Sequence, residues 1–369
     1  MSLLGALWQD GLGGDAPRHG RQRVRGCKPD DQAKSPGRDA PDMVLVLSAE
    51  EVDRNLDLAG LVDVVDDALV KQAAGEVERP RRPHFPVGAG LDGDEPAGTG
   101  IAMPAYVHGA DHYATKLVGV HEGNAERGLP TINAQIVLTD ARTGLPKAFM
   151  AGTAITNART GCIGAVSVRA LAPEPGGEGL TLGVVGAGAQ ARWQSRAIGT
   201  VATLSDVRIY SPSDSRDACA ADLSEEGIPA RAVDTAREAV EGADVVVTAT
   251  TATEPVFPPD ALETGSLVIA IGAFTAEMRE LAPRVLERAE LTFADVPEEA
   301  AETGDLLASD RDADDLVELG VPLADGYRRE SSDRVLVVTS VGSATLDAAA
   351  GETVYRRAVE SGDGTEISL

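Results

Sequence analysis

The sequence predicts an α/β fold in two parts: a doubly wound, Rossmann-type parallel sheet, and an α+β part that begins before it. Three observations lead there. From about residue 180, apolar runs alternate with helical stretches, which is the rhythm of βαβ units. The first of those runs leads into Gly186-x-Gly188-x-x-Ala191, a glycine turn between a strand and a helix. Earlier, between 101 and 150, four short apolar runs are split by turn residues, the spacing of an antiparallel sheet. The 369 residues suit two such parts, at roughly 150 residues per domain.

In chain order, residues 1–42 hold seven basic and six acidic side chains among many Gly and Pro, with no helical or strand period from Asp10 onward. Such a stretch buries too little apolar surface to offset its ordering entropy, so a disordered tail is expected, with Met43 as the natural start. It lacks the apolar core of a secretory signal. An apolar strand follows at 43–47. Ser48 with Glu51 is a capping box opening a helix, and a second helical pattern at 58–74 ends at Gly75. Residues 79–83 are extended and proline-punctuated, and 88–100 are a Gly/Asp loop. Strands are expected at 101–107, 113–120, 131–138 and 146–150, then a long helix of small residues at 153–171. Strands at 180–185, 207–210, 244–249, 267–271 and 291–293 alternate with helices such as 191–202 and 276–289. An acidic helical stretch to about 319, a strand at 335–339 and a helix at 344–359 complete the chain.

Composition excludes several classes. No run approaches the roughly 18 apolar residues of a membrane span. The net charge of −26 repels nucleic acid and anionic lipid, so neither is an expected partner. Three widely spaced cysteines make neither a disulfide framework nor a zinc site, and a cytoplasmic location is expected. Beyond the tail, 26 basic and 53 acidic groups give −27, with Lys71, Lys116 and Lys147 the only lysines. That balance points to a protein solvated in concentrated salt, a halophilic reading set against a merely acidic soluble protein.

The glycine turn has a direct chemical meaning. Gly186 permits the tight turn, Gly188 lets backbone approach a pyrophosphate, and Ala191 is small enough for helix–strand packing. The helix start, with Ala189 and Gln190, offers unpaired amides to phosphates. NAD preference usually shows as an acid ending the second strand. Here the strand ends in Tyr210 and runs into Ser211, Ser213, Asp214 and Arg216. Ser211, Ser213 and Arg216 suit the 2′-phosphate of NADP, while Asp214 suits a ribose. The cofactor is NAD or NADP, the balance tipping toward NADP.

Further motifs converge. Pro80-Arg81, Met103-Pro104, Lys116, Asn124 with Arg127 to Pro130, Thr143-Gly144 and Thr156-x-x-Arg159-Thr160 occur in order with the glycine turn. So do Thr248 and Thr250 with Pro255-Val256, Gly304-Asp305 and Ser340-Val341-Gly342. In this combination the chain resembles the ornithine cyclodeaminase/mu-crystallin family across about 43–360. The resemblance implies a substrate and dimerisation domain built from both chain ends, 43–170 and 331–369. A nucleotide-binding domain, 171–330, is inserted between them. It also implies a homodimer, cofactor contacts at Thr160, Thr250, Gly272 and Ala273, and a small amino- or imino-acid substrate. Arg81 and Arg159 are then expected to hold the substrate carboxylate, and Lys116 to assist binding and proton transfer. Chemistry agrees: arginine's fork suits a carboxylate and lysine suits proton transfer. Arg79 and Arg82 lie close enough to Arg81 for that assignment to slip.

Two departures redirect the function. Cyclodeaminase members place an acid two positions before Met-Pro, where this chain has Ile101, and a catalytic Asp where it has Phe274. Ring closure of ornithine lacks both carboxylates, so an NAD(P)-dependent alanine dehydrogenase or imine reductase is the expected activity. Ornithine cyclodeaminase, and a ligand-binding protein without turnover, are the alternatives. His108 and His112 are four apart but lie in a hairpin turn, so no metal site is expected. Cys162 reads as a small buried residue rather than a reactive thiol.

Overall fold

Met43–Leu47 forms the first strand, β1, and Ser48 caps the helix after it: its hydroxyl accepts from the Glu51 amide while the Glu51 carboxylate accepts from the Ser48 amide. The computed structural model describes residues 43–369 apart from 92, 175, 176, 328 and 330–332. The tail expected at 1–42 lies outside the described residues. Helices α1 (Ala49–Asn55) and α2 (Leu58–Ala73) follow, α2 burying Leu61, Val62, Val65, Ala68 and Leu69 at helical spacing. Strands β2 (Val77–Glu78), β3 (His84–Val87), β4 (Gly98–Val107), β5 (His112–Val120), β6 (Ile132–Asp140) and β7 (Pro146–Ala151) lead to α3 (Gly152–Leu171).

The alternating region then runs β8 (Leu180–Val185), α4 (Ala189–Val201), β9 (Leu204–Tyr210), α5 (Ser215–Glu225), β10 (Ala230–Ala232), α6 (Ala236–Val240), β11 (Val245–Thr248) and β12 (Leu267–Ala270). After it come α7 (Pro283–Arg288), β13 (Ala289–Ala294), α8 (Pro297–Ala300), α9 (Gly304–Leu307), β14 (Leu316–Glu318), α10 (Gly320–Asp325), β15 (Val335–Thr339), α11 (Ala344–Ser361) and β16 (Thr365–Ser368).

These strands make two sheets. One has the order β10-β9-β8-β11-β12-β15-β13-β14, and every pairing in it is parallel. Order reverses beside β8, so the loops after β8 and β11 flank the crevice where such sheets bind ligands. The other has the order β16-β1-β7-β6-β5-β4-β2, with β3 also on β4. Helices α2, α3 and α11 pack on its face carrying Met103, Lys116, Ile136 and Ala148.

Four expectations need correction. The sheet expected to be antiparallel is mixed, because β1 pairs β7 in parallel. The strand at 335–339 lies in the parallel sheet between β12 and β13, so the chain leaves that sheet after Thr339 rather than at 331. Its five residues are all buried, as an interior parallel strand requires. The helix expected at 276–289 is reduced to α7, since the Glu280 and Leu281 amides donate to the Asp305 carboxylate instead of to helix carbonyls. The acidic stretch after Asp295 breaks into α8, α9, a 3₁₀ turn and β14.

Candidate active site

β5 carries Lys116 on the helix-covered face, opposite Met103 of β4 and Ile136 of β6. A lysine there is costly unless paired. Its Nζ lies 2.6 Å from Oδ2 of Asp347, in the first turn of α11, and the side chain is 2% exposed. The other carboxylate oxygen of Asp347 accepts from Nε of Arg159, on α3, at 2.9 Å. Burial pulls the Lys116 ammonium down to about 8, against the opposing pull of Asp347. Burial by itself would raise the Asp347 carboxyl; Arg159 and Lys116 overcome that and hold it below its ordinary value. The strand, the long helix and the terminal helix thus bring one anion and two cations together from 231 residues of sequence.

The arginine segment before β3 faces the same place, but not through the residue expected. Arg81 is three-quarters exposed and pairs with Glu302 at 2.7 Å. Arg82 is largely buried, with Nε 2.8 Å from Glu299 and Nη1 donating to the Val341 and Gly342 carbonyls at 3.0 and 3.3 Å. Arg79 shares Glu299 at 2.5 Å. In a proline-held extended segment, residues three apart share a side, which groups Arg79 with Arg82 and turns Arg81 away. Gly342 in turn abuts the Arg159 guanidinium, so Arg82 and Arg159 meet at one loop.

The glycine turn stands at the C-terminal end of β8. Gly186 has φ +120°, and a side chain there would collide with the Ala249 carbonyl. Gly188 is the N-cap of α4 with no side-chain cap, and the space where its Cβ would lie is open. Ala189 opens α4 at the surface, and Ala191 is fully buried. Gln190 donates to Asn157 of α3 at 3.0 Å, while its Oε1 is buried without a partner, as is Oγ1 of Thr156. Thr160 donates to the Thr156 carbonyl. An uncapped helix start, an open cradle and buried polar atoms in want of partners fit a dinucleotide.

At the end of β9, Ser211, Ser213 and Ser215 form a chain of hydroxyls at 2.8–3.3 Å, and no acid closes the strand. Arg216 donates to the Ser211 carbonyl and pairs with Asp234 at 3.1 Å. Across the crevice, Thr250 and Gly272 both donate to Glu280, and Ala273 is buried. Ile101 is buried on β4, and Phe274 packs against the core of the parallel sheet. His108 and His112 pair with Glu78 and Glu352, and among the described residues no three His, Cys, Asp or Glu side chains gather as metal ligands. Burial pushes the Cys162 thiol up to about 12.

Sequence reasoning missed Asp347, Glu299 and Glu280. None of the three left a local signal, each being one acid among many in the chain.

The ornithine cyclodeaminase/mu-crystallin family profile matches residues 43–362. A Δ1-pyrroline-2-carboxylate reductase of Bacillus cereus is 31% identical over 335 residues, covering 88% of this chain and all of the relative. The structure of Thermococcus litoralis Δ1-pyrroline-2-carboxylate reductase in complex with NADH and L-proline superposes with TM-score 0.81 at 28% identity, covering 88% of this chain and 100% of that one. An archaeal alanine dehydrogenase dimer with bound NAD superposes with TM-score 0.79 at 27% identity, covering 89% and 99%.

Proposed function

The chain belongs to the ornithine cyclodeaminase/mu-crystallin family, and on that premise we propose that it reduces a small α-imino acid to the amino acid. It is an NAD(P)-dependent oxidoreductase of the imine reductase and alanine dehydrogenase kind. The observation that carries the substrate reading is the buried Lys116–Asp347–Arg159 cluster beside Ile101. Cations for a carboxylate are present, and a carboxylate to anchor a side-chain amine is missing at that position.

Arg159 and Arg82, in place of Arg81, bind the substrate carboxylate. Lys116, charged below about pH 8, donates a proton toward the imino nitrogen. When bound, the nicotinamide supplies the hydride to the α-carbon. Asp347 keeps Lys116 charged and fixes Arg159, and Glu299 holds Arg82 in place. A cyclic imino acid such as Δ1-pyrroline-2-carboxylate, with no side-chain amine to anchor, suits an apolar Ile101 at that position. Pyruvate with ammonium is the second reading, favoured by the likeness to alanine dehydrogenase.

The serine hydroxyls and Arg216 support a 2′-phosphate, so NADPH is read as preferred to NADH. The uncovered face of the mixed sheet supports a homodimer. Its Leu117 and Phe149 are exposed beside Ala102, Pro104 and Val137. The charge of −27 beyond residue 42 supports work in concentrated salt.

The test is oxidation of NADPH and NADH with Δ1-pyrroline-2-carboxylate, and with pyruvate plus ammonium, at low and molar salt. Turnover with either substrate is expected, faster with NADPH. No oxidation of either cofactor with any imino or oxo acid would sink the assignment.

A further inference from the structure

Glu280 is fully buried and lies outside the cluster that handles substrate. Its carboxylate accepts four hydrogen bonds: from the Thr248 hydroxyl at 2.9 Å, the Thr250 amide at 2.6 Å, the Thr250 hydroxyl at 2.8 Å and the Gly272 amide at 2.8 Å. Thr248 ends β11 and Gly272 follows β12, so one side chain joins the loops at the C-terminal ends of two neighbouring strands. The fit is close: a Cβ on Gly272 would collide with the Thr250 carbonyl and with Glu280. Behind it, Asp305 of α9 accepts from the Glu280 and Leu281 amides, each at 2.7 Å, which fixes the backbone that aims the carboxylate.

A buried acid on this scale is expensive, and a packed apolar residue would stabilise the sheet more cheaply. The two amides can only donate and both hydroxyls donate as placed, so an ionised carboxylate satisfies all four partners at once. We propose that Glu280 is a positioning residue for the dinucleotide, setting the spacing of the Thr248–Thr250 and Gly272 loops that receive it. This rests on the reading of the crevice as a dinucleotide site.

The charged groups around Glu280 are Asp305 and the neighbouring Arg279, whose guanidinium pairs with Glu254. Burial pushes the Glu280 carboxyl up to about 7 and the Asp305 carboxyl up to about 6. Protonation of Glu280 removes the charge that strengthens these bonds and forces a threonine hydroxyl to turn round and accept, which loosens the hold on the two loops. Dinucleotide affinity therefore weakens as pH falls through about 7.

The experiment titrates NADH and NADPH into wild type, Glu280→Gln and Thr248→Val by calorimetry from pH 5.5 to 8.5. Comparing each variant with wild type at each pH cancels any titration of the ligand. Glu280→Gln is expected to raise Kd about tenfold at pH 8, the loss of a bond to a charged acceptor, and to abolish the step near 7. Thr248→Val, which keeps side-chain shape and removes one donor, is expected to raise Kd about threefold. If Glu280→Gln does not fold, Thr248→Val decides alone. Unchanged Kd in a folded variant overturns the proposal, since a merely structural role lowers the melting temperature and leaves affinity alone. Failure of wild type to bind either dinucleotide overturns the reading of the crevice instead.

Discussion

Lys116 is among the largest fully buried side chains of the described residues, and its charge is decided within the working range of pH. With its ammonium brought down to about 8, it is charged at pH 7 and increasingly neutral above 8. Imine reduction needs the proton, so kcat/KM is expected to fall tenfold per pH unit above about 8. Lys116→Met should remove about 10²–10⁴ in kcat and leave dinucleotide affinity intact. Asp347→Asn takes away the anion that favours the charged lysine, so the limb moves to lower pH. It also strands two buried cations, at a cost of about 3–5 kcal/mol in denaturant unfolding. A limb that stays at 8 in Asp347→Asn would separate it from Lys116. The arginines give a second contrast. Arg82→Lys should raise the substrate KM about tenfold or more, because an ammonium does not reproduce a bidentate fork, while Arg81→Ala changes it little. Equal effects would restore Arg81 to the site. Lys116 was legible because lysines are scarce and this one interrupts an apolar strand. Asp347 was not, because nothing local separates the one buried partner from the many acids that coat the surface.

Among elements, interiors were legible and edges were not. The capping box at Ser48, the continuous apolar strands and the glycine turn each follow from chemistry within a few residues. β3, β14 and β16 are short, and their existence depends on the strand beside them. α3 shows both sides of this. Its run of small residues reads as a buried helix, but the reason for the smallness lies on α4. A Cβ at Gly161 would stand 2.7 Å from the Trp193 carbonyl. The close approach lets Gln194 donate to the Thr160 carbonyl at 2.8 Å, tying the glycine-turn helix to the helix that holds Arg159 and Thr160. Gly161→Ala is therefore expected to cost about 1–3 kcal/mol in denaturant unfolding, the penalty of overpacking. Because it pushes α4 away from α3, it should weaken dinucleotide binding as well. A gain in stability, as for alanine at an unencumbered helix site, would show that the two helices have room to spare.

At the scale of the whole molecule, the change of rhythm near residue 180 located the parallel sheet, but not the strand that closes it. β15 comes later in the chain than both of its neighbours, β12 and β13, and only the assembled sheet reveals that it inserts between them. The mixed sheet raises the complementary question of what covers its second face. Helices bury one side, while the other presents Leu117 at 38% and Phe149 at 44% exposure in an otherwise strongly acidic molecule. Self-repulsion at such charge opposes association, so a face low in charge is where two copies can meet. A twofold interface is self-complementary, and one substitution enters it twice. Phe149→Asp places two carboxylates against that apolar surface. Wild type is expected to scatter as a particle of about twice the 38.1 kDa chain mass, and Phe149→Asp as the single chain with an unchanged circular dichroism spectrum. Molar salt should tighten the wild-type dimer by screening the acidic surfaces, and should not rescue the variant, whose defect is the desolvation of a buried charge. A wild type that remains monomeric at micromolar concentration in molar salt would leave the exposed face without its partner and end the dimer reading.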